Sequence, residues 1–252
     1  MSWIAVASPL LLLVGWEIAS ATGLLRAVFF PRPTTVAEHF LRLVVDGSLP
    51  HHGGVTVMRV AWTVLLATPP AVAVGLAMGI SRRTREGLDP LFAVIYPIPS
   101  VLFLPLISFL LRSAEAALVV TGAITPFFLV AYTTMTGVQQ LDRTVLEAAT
   151  HYGARGWRLF LKVLLPGTLP FIFTGLRLGL GYALIVLIAV EMVSARDGLG
   201  ALLWLSWGIL KVEEMYAALV AIALLGAFLT WGLGLLRARL LPWVEDVAGT
   251  AR

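Results

Sequence analysis

Four ionisable side chains stand inside or beside long apolar runs of this chain: Glu17, Arg59, Arg177 and Glu191. Charge in hydrocarbon is costly, so each such group marks a packing contact, an interface or a pathway. A guanidinium buried in a helix bundle suits a planar oxyanion, which is one reading of Arg59 and Arg177. The other has Arg59 snorkelling at the outer end of its helix and Arg177 bonding the free carbonyls of a kinked helix or the inner loop. Glu17 likewise packs against protein or snorkels to the interface. Hydrolytic chemistry is poorly served. His39, His51, His52 and His151 fall in loops or at the surface, Gly-x-Ser-x-Gly is absent, and the apolar runs hold no aspartate beyond Asp89 at the very start of one. The chain has no cysteine. A disulfide scaffold, a thiolate metal site and a cysteine nucleophile are therefore excluded.

The elements that must position these groups are membrane helices. Of 252 residues, 59% are hydrophobic and only 13% charged, too little polar surface to coat a soluble globule of this size. The net charge of +4 is scattered through short loops rather than gathered on one face, which argues against a nucleic-acid partner. Apolar runs predict spans over Trp3 to Leu25, Val55 to Ile80, Leu88 to Leu111, Ala116 to Gly137, Pro170 to Val190 and Met215 to Leu236. The first is too long for a signal-peptide core and reads as retained. Between the first two, Thr35 is expected to cap a surface helix reaching Val45. Ala71, Gly75 and Gly79 recur every four residues, a ridge on which another helix can close. Pro90, Pro97, Pro99 and Pro105 predict a third span that is kinked and buried in the bundle. After Gly198-Leu199-Gly200, the run Ala201 to Leu210 is too short to cross and reads as re-entrant or interfacial. The fold class expected is all-α: a polytopic membrane protein of about six spans, forming one domain over residues 1–252.

The stretch Leu141 to Pro166 differs from the rest. Asp142 is placed to cap a short helix from Arg143 to about Tyr152, and Gly153 to end it in the left-handed conformation. A second apolar stripe, Trp157, Phe160, Leu161 and Leu164, follows at helical spacing. Leu165 and Pro166 are expected to close this unit, because proline interrupts the backbone ladder. Glu147-Ala148-Ala149, three residues, Gly153 and then Leu164-Leu165-Pro166 resemble the EAA loop of the permease subunits of binding-protein-dependent ABC importers. The likeness runs from about Trp16 to Arg239 and looks closest to the branch for taurine, aliphatic sulfonates, nitrate and thiamine-precursor pyrimidines. Pro31-Arg32-Pro33, Asp89-Pro90, Pro97-Ile98-Pro99, Thr174 to Arg177, Ala189 to Met192 and Gly198 to Gly200 share in it. Leu110 to Glu115 departs from the family pattern.

The resemblance implies that residues 141–166 form a cytoplasmic coupling hairpin seated on an ATPase, through Glu147, Ala148, Ala149, Gly153 and Pro166. Arg59, Pro97, Pro99, Arg177, Glu191, Gly198 and Gly200 are the candidate pathway or gate. The chain itself would hold no catalytic, cofactor or metal site, since no glycine-rich loop ends in Gly-Lys-Ser/Thr. ATP and magnesium would be bound by a partner ATPase dimer. A periplasmic or lipid-anchored binding protein would deliver a small anion such as a sulfonate, taurine or nitrate, or alternatively a pyrimidine, to a homodimer in the bacterial inner membrane. The basic residues Arg82, Arg83, Arg85, Arg143, Arg155, Arg158, Lys162, Arg237 and Arg239 cluster at span ends on one side. That side is then the cytoplasm and holds both termini. An ion-coupled secondary transporter is the rival reading, and it has no need of the loop.

Overall fold

The computed structural model describes the backbone of residues 3–243 and the side chains from residue 7. The first two and last nine residues of the expected domain, both chain ends among them, lie outside the described residues, as do the side chains that open the expected first span. The described residues are helical, with one 3-10 and one π stretch and no strand among them. They fall into two compact units. One gathers the described chain up to Met58 with Ile188–Leu225; the other gathers Arg59–Leu187 with the chain from Gly226 onward.

The first unit begins with α1 (Trp3–Ala21), joined by a turn to α2 (Pro33–Val45). Thr35 is not the cap of α2. Pro33 occupies the first helical position, where its fixed φ and missing N–H are both harmless, and Arg32 is the N-cap residue. The N–H and hydroxyl of Thr34 donate to the Glu17 carboxylate, at 3.1 and 3.0 Å, so Glu17 closes the start of α2 instead of snorkelling. The opening turns of α3 (Ser48–Ile80), residues 188–194, α10 (Leu199–Gly208) and the first half of α11 (Val212–Leu240) complete the unit. Its apolar core is Leu43, Leu49, Leu199, Leu202, Ala217, Ala218 and Ala221. The ten residues of α10 are too few to cross a bilayer, in accord with the run read after Gly200.

The second unit is built on the remainder of α3, α6 (Ala114–Gln139) and α9 (Leu165–Ser194) up to Leu187. Small residues set its spacing. Ala71 is fully buried, and a Cβ on Gly75 would strike the Ala131 carbonyl and the Thr134 side chain, so α3 and α6 close to backbone contact there. Gly175 admits Thr133 of α6 against α9 in the same way. Phe92, Phe128 and Tyr132 meet edge to face and hold α4 (Arg82–Ile95) to α6.

Two expectations fail in this unit. Leu88 to Leu111 is neither one continuous helix nor buried. It is α4 followed, after the Pro97-Ile98-Pro99 break, by a 3-10 turn (Ser100–Phe103) and α5 (Leu104–Leu111), bent by 87°. Two prolines in three residues remove two ladder donors within one turn, and the chain leaves helical geometry at Pro99, with φ −56° and ψ 117°. Both prolines are exposed, and only Phe92, Ser100 and Leu104 of this stretch are buried. Nor do Leu165 and Pro166 end a helix. The chain enters α8 (Trp157–Leu159), widens to a π turn (Phe160–Leu164) and runs on unbroken through α9. The Leu165 N–H bonds to the Phe160 carbonyl, five residues back. Widening the turn accommodates Pro166, whose ring would otherwise meet the carbonyl four residues before it.

Four stretches are long and apolar enough to cross a bilayer: Ser48–Ile80, Ala114–Gln139, Trp157–Ser194 and Val212–Leu240. The bent pair makes up to five.

Candidate functional site

The stretch after α6 forms α7 (Arg143–His151), fixed at both ends. Asp142 Oδ1 accepts the Thr144 N–H at 2.8 Å, and this bond, then one from the Thr144 hydroxyl, holds the Asp142 carboxyl below the usual carboxylate range. At the other end the Ala154 N–H donates to the Ala149 carbonyl at 2.9 Å and the Gly153 N–H to the Thr150 carbonyl at 3.0 Å. That double closure requires a left-handed residue at 153, and Gly153 has φ +85°. Between these caps α7 buries no residue. Glu147 and Ala148 are exposed and Ala149 half-buried. Beyond the turn Tyr152 and Trp157 are 93% and 70% exposed, with the Trp157 ring stacked on Phe160 at 5.0 Å. Leu146, Glu147, Thr150, His151 and Arg155 border an open hollow of about 460 Å³. A rigid helix of small residues, one acid and neighbouring bare aromatics can seat in another protein's groove.

A second constellation lies in the first unit. Glu191, at the far end of α9, has no exposed surface. The Thr56 hydroxyl lies 3.0 and 3.1 Å from its two oxygens, and the Gly200 N–H donates to Oε2 at 3.0 Å. The Leu199 N–H donates in turn to Thr56 Oγ1 at 2.9 Å, and the Gly198 N–H to His52 Nδ1 at 3.0 Å. The unsatisfied amides that open α10 are thus met by one buried carboxylate, one hydroxyl and one imidazole. Gly198 has φ +114°, and a Cβ there would fall on the Glu191 carboxyl; one on Gly200 would strike the Ile188 carbonyl. The structure therefore joins three of the expected gate residues, Glu191, Gly198 and Gly200, into one latch. Thr56 and His52 were missed. The signal for Thr56 was its spacing from Thr63, seven residues on along one buried face of α3.

The two arginines have separate environments. Arg59 is only 4% exposed, and its Nε and Nη2 donate to the Glu115 carboxylate at 2.9 and 2.6 Å. It does not snorkel. Glu115, in the departing Leu110 to Glu115 stretch, is the partner missed; an acid in the first turn after the Ser113 N-cap was its sequence signal. Arg177 is exposed and lines a cleft of about 690 Å³ with Arg237. Pro97 and Pro99 stand apart at the helix break, where the buried Ser100 hydroxyl lies 3.0 Å from that of Thr125.

The family described as the inner-membrane component of binding-protein-dependent transport systems matches residues 71–246, which include α7, the cleft and, of the latch, Glu191, Gly198 and Gly200. The chain belongs to this family. It is 31% identical to the taurine transport system permease protein TauC of Escherichia coli K12, over 94% of this chain and 88% of that protein. It is 29% identical to the nitrate import permease protein NrtB of Leptolyngbya laminosa, over 84% and 79%. A putative aliphatic sulfonates transport permease protein, SsuC of Bacillus subtilis, shares 26% over 96% and 87%. Among solved structures, the inward-facing MetNI methionine ABC transporter covers 77% of this chain and 92% of its own, with TM-score 0.56 and 16% identity. The last likeness bears on fold alone. As a family member, the chain is a multi-pass permease subunit of the inner membrane, and transport rather than catalysis is its work.

Proposed function

We propose that this permease is the membrane subunit of an ABC importer for a small sulfonate, taurine or nitrate-type anion, driven by a separate ATPase seated on α7. The observation that carries the coupling is α7 itself, capped at both ends yet burying no residue within its own chain. Ordering a helix that buries nothing leaves its backbone entropy uncompensated, so a partner surface is the natural counterweight. Ala148 and Ala149 permit close approach, Glu147 supplies one charge for a basic group, and Gly153 with Pro166 sets the path into α9. The substrate class is supported by relatives named for taurine, sulfonates and nitrate. ATP and magnesium belong to the ATPase, a binding protein delivers the solute, and a second permease copy completes the pathway. The α10 latch then closes its outer end, while Arg59, drawn onto Glu115, holds α6 against α3.

The test is co-purification of the ATPase with substrate-stimulated ATP hydrolysis in reconstituted membranes. Gly153→Val places a β-branched residue at positive φ, costing about 1 kcal/mol or more, and misdirects the chain after α7. Ala149→Trp blocks close seating by bulk. Both are expected to abolish assembly or stimulated hydrolysis while the spans still insert. Glu147→Ala should weaken assembly about fivefold, the worth of one partly exposed ion pair near 1 kcal/mol. Full assembly and stimulation in both of the first two variants would reduce α7 to an ordinary hairpin.

A further inference from the structure

Helix α10 has no cap of its own. Its N-cap residue is Gly198, which lacks a side chain to turn back on the opening amides, so the acceptors come from distant parts of the chain. They differ in how they meet a proton. The Thr56 hydroxyl does not titrate near neutral pH, and the Glu191 carboxyl keeps acceptor lone pairs even when protonated. Imidazole does not share that tolerance. His52 Nδ1 accepts the Gly198 N–H, at 3.0 Å, only while the ring is neutral, and on the charged ring the same atom is a donor.

The Gly198 N–H is held in place. Gly198 is buried, and its backbone stands at φ +114° with the Glu191 carboxyl where a Cβ would be. A hydrogen on Nδ1 would therefore point at another hydrogen, and the ring is the part free to move, being half-buried beside exposed His51. Among the described residues, the titratable groups facing the ring are His51 on α3 itself, Asp197 in the turn before α10, and Glu191 on α9. Helix α10 carries none. The two carboxylates draw a proton to the ring. His51, whose ring meets that of His52 edge-on at 5.3 Å, opposes it when charged, and its Nε2 lies 3.4 Å from Asp197 Oδ1.

We propose that His52 is a proton-operated release for α10. Neutral, it seats the Gly198 N–H; charged, it withdraws, and the opening turn of α10 loosens from α3. A released imidazole takes its proton at about pH 6.5, and each unit below that favours release by up to about tenfold, because the seated ring has to stay neutral. That α10 closes the outer end of the pathway rests on the importer reading above. That a proton unseats α10 does not.

The full-length chain in phosphatidylcholine nanodiscs is followed by amide exchange at Gly198, Leu199 and Gly200. Protection is corrected for the pH dependence of free amides and referred to that of α6. It should fall about tenfold between about pH 7.5 and about pH 5. His52→Asn puts an amide oxygen close to where Nδ1 stood and does not titrate, so protection should stay level over the same range. His51→Asn leaves the seat intact, and the acid loss should persist in it. Three results overturn the proposal: no acid loss in the wild type, the same loss in His52→Asn, or its disappearance in His51→Asn. The second would assign the effect to Glu191 or Asp197, and the third to His51. The importer reading survives all three, because it stands or falls on ATPase assembly through α7.

Discussion

A carboxylate shut away from water at position 191 is tolerable because donors converge on it from two distant places in the sequence, Thr56 and Gly200, with Thr56 itself held by the Leu199 N–H. Glu191→Ala leaves the Gly200 N–H and the Thr56 hydroxyl without that acceptor, about 1–3 kcal/mol for each buried orphan. The expected outcome is loosening of α10, read as faster amide exchange at Leu199 and Gly200 with α6 unaffected; unchanged exchange would mean that the carboxylate does not hold α10. Gly198→Ala should do the same by a different route, because its Cβ falls on the carboxyl and φ +114° disfavours any side chain. Asp142 gives a pH test. Its folded carboxyl is held below the usual range, so its contribution to α7 is complete above the unfolded pKa and is lost as pH falls through the folded one. Protection of the Thr144 amide should therefore drop in acid in the wild type and stay level in Asp142→Asn, a cap that does not titrate. Equal acid loss in both would remove the carboxylate from the account. These residues were unequally legible in the sequence. Asp142 and Gly153 announce themselves by local rules, whereas the Arg59 and Glu115 pair joins positions 56 residues apart, and only folding brings them together.

At the scale of elements, proline carried three different meanings that the sequence alone did not separate. Pro33 starts a helix, Pro97 and Pro99 break one, and Pro166 is absorbed into a continuous one by a π turn. What decides is context: two prolines in three residues leave the backbone no ladder to continue, while a single one can be passed by a widened turn. The π turn at Phe160–Leu164 lies between the proposed coupling helix and the span that leads to the Glu191 latch, so it fixes the rotation of one about the axis of the other. Pro166→Ala restores the missing N–H and removes the clash with the Lys162 carbonyl. The turn should then relax to ordinary α geometry, rotating the hairpin by about 100°, one residue of helix. Expression and insertion should persist, while ATPase co-purification falls as far as it does in Gly153→Val. Wild-type assembly by Pro166→Ala would show that the π turn does not set the hairpin's direction.

For the whole molecule the open quantity is the number of crossings. Length and hydropathy give four, or five with the bent pair, and α1 adds about 28 Å of helix, close to a hydrocarbon thickness of about 30 Å. Six crossings require that α1 spans and that the bent pair, Arg82–Ile95 with Ser100–Leu111, passes from one face to the other. A re-entrant pair, entering and leaving by the same face, is the alternative that an 87° bend allows. The two differ in a way that can be measured. If the pair crosses, Arg83 before it and His151 after α6 lie on the same side, because two crossings separate them. If it is re-entrant, α6 alone separates them and they lie on opposite sides. Arg83, His151 and Asp197 are all exposed, so failure of a cysteine there to react reports the bilayer and not burial in the protein. The basic clusters at Arg82 to Arg85, Arg143 to Lys162 and Arg237 to Arg239 favour one cytoplasmic face for all three, and hence a crossing pair. Single cysteines at 83 and 151 should therefore be shielded from impermeant thiol reagents in intact cells, and one at 197 should react. Opposite labelling of 83 and 151 would make the pair a re-entrant loop, and labelling of both from outside would invert the orientation and move α7 away from any cytoplasmic ATPase.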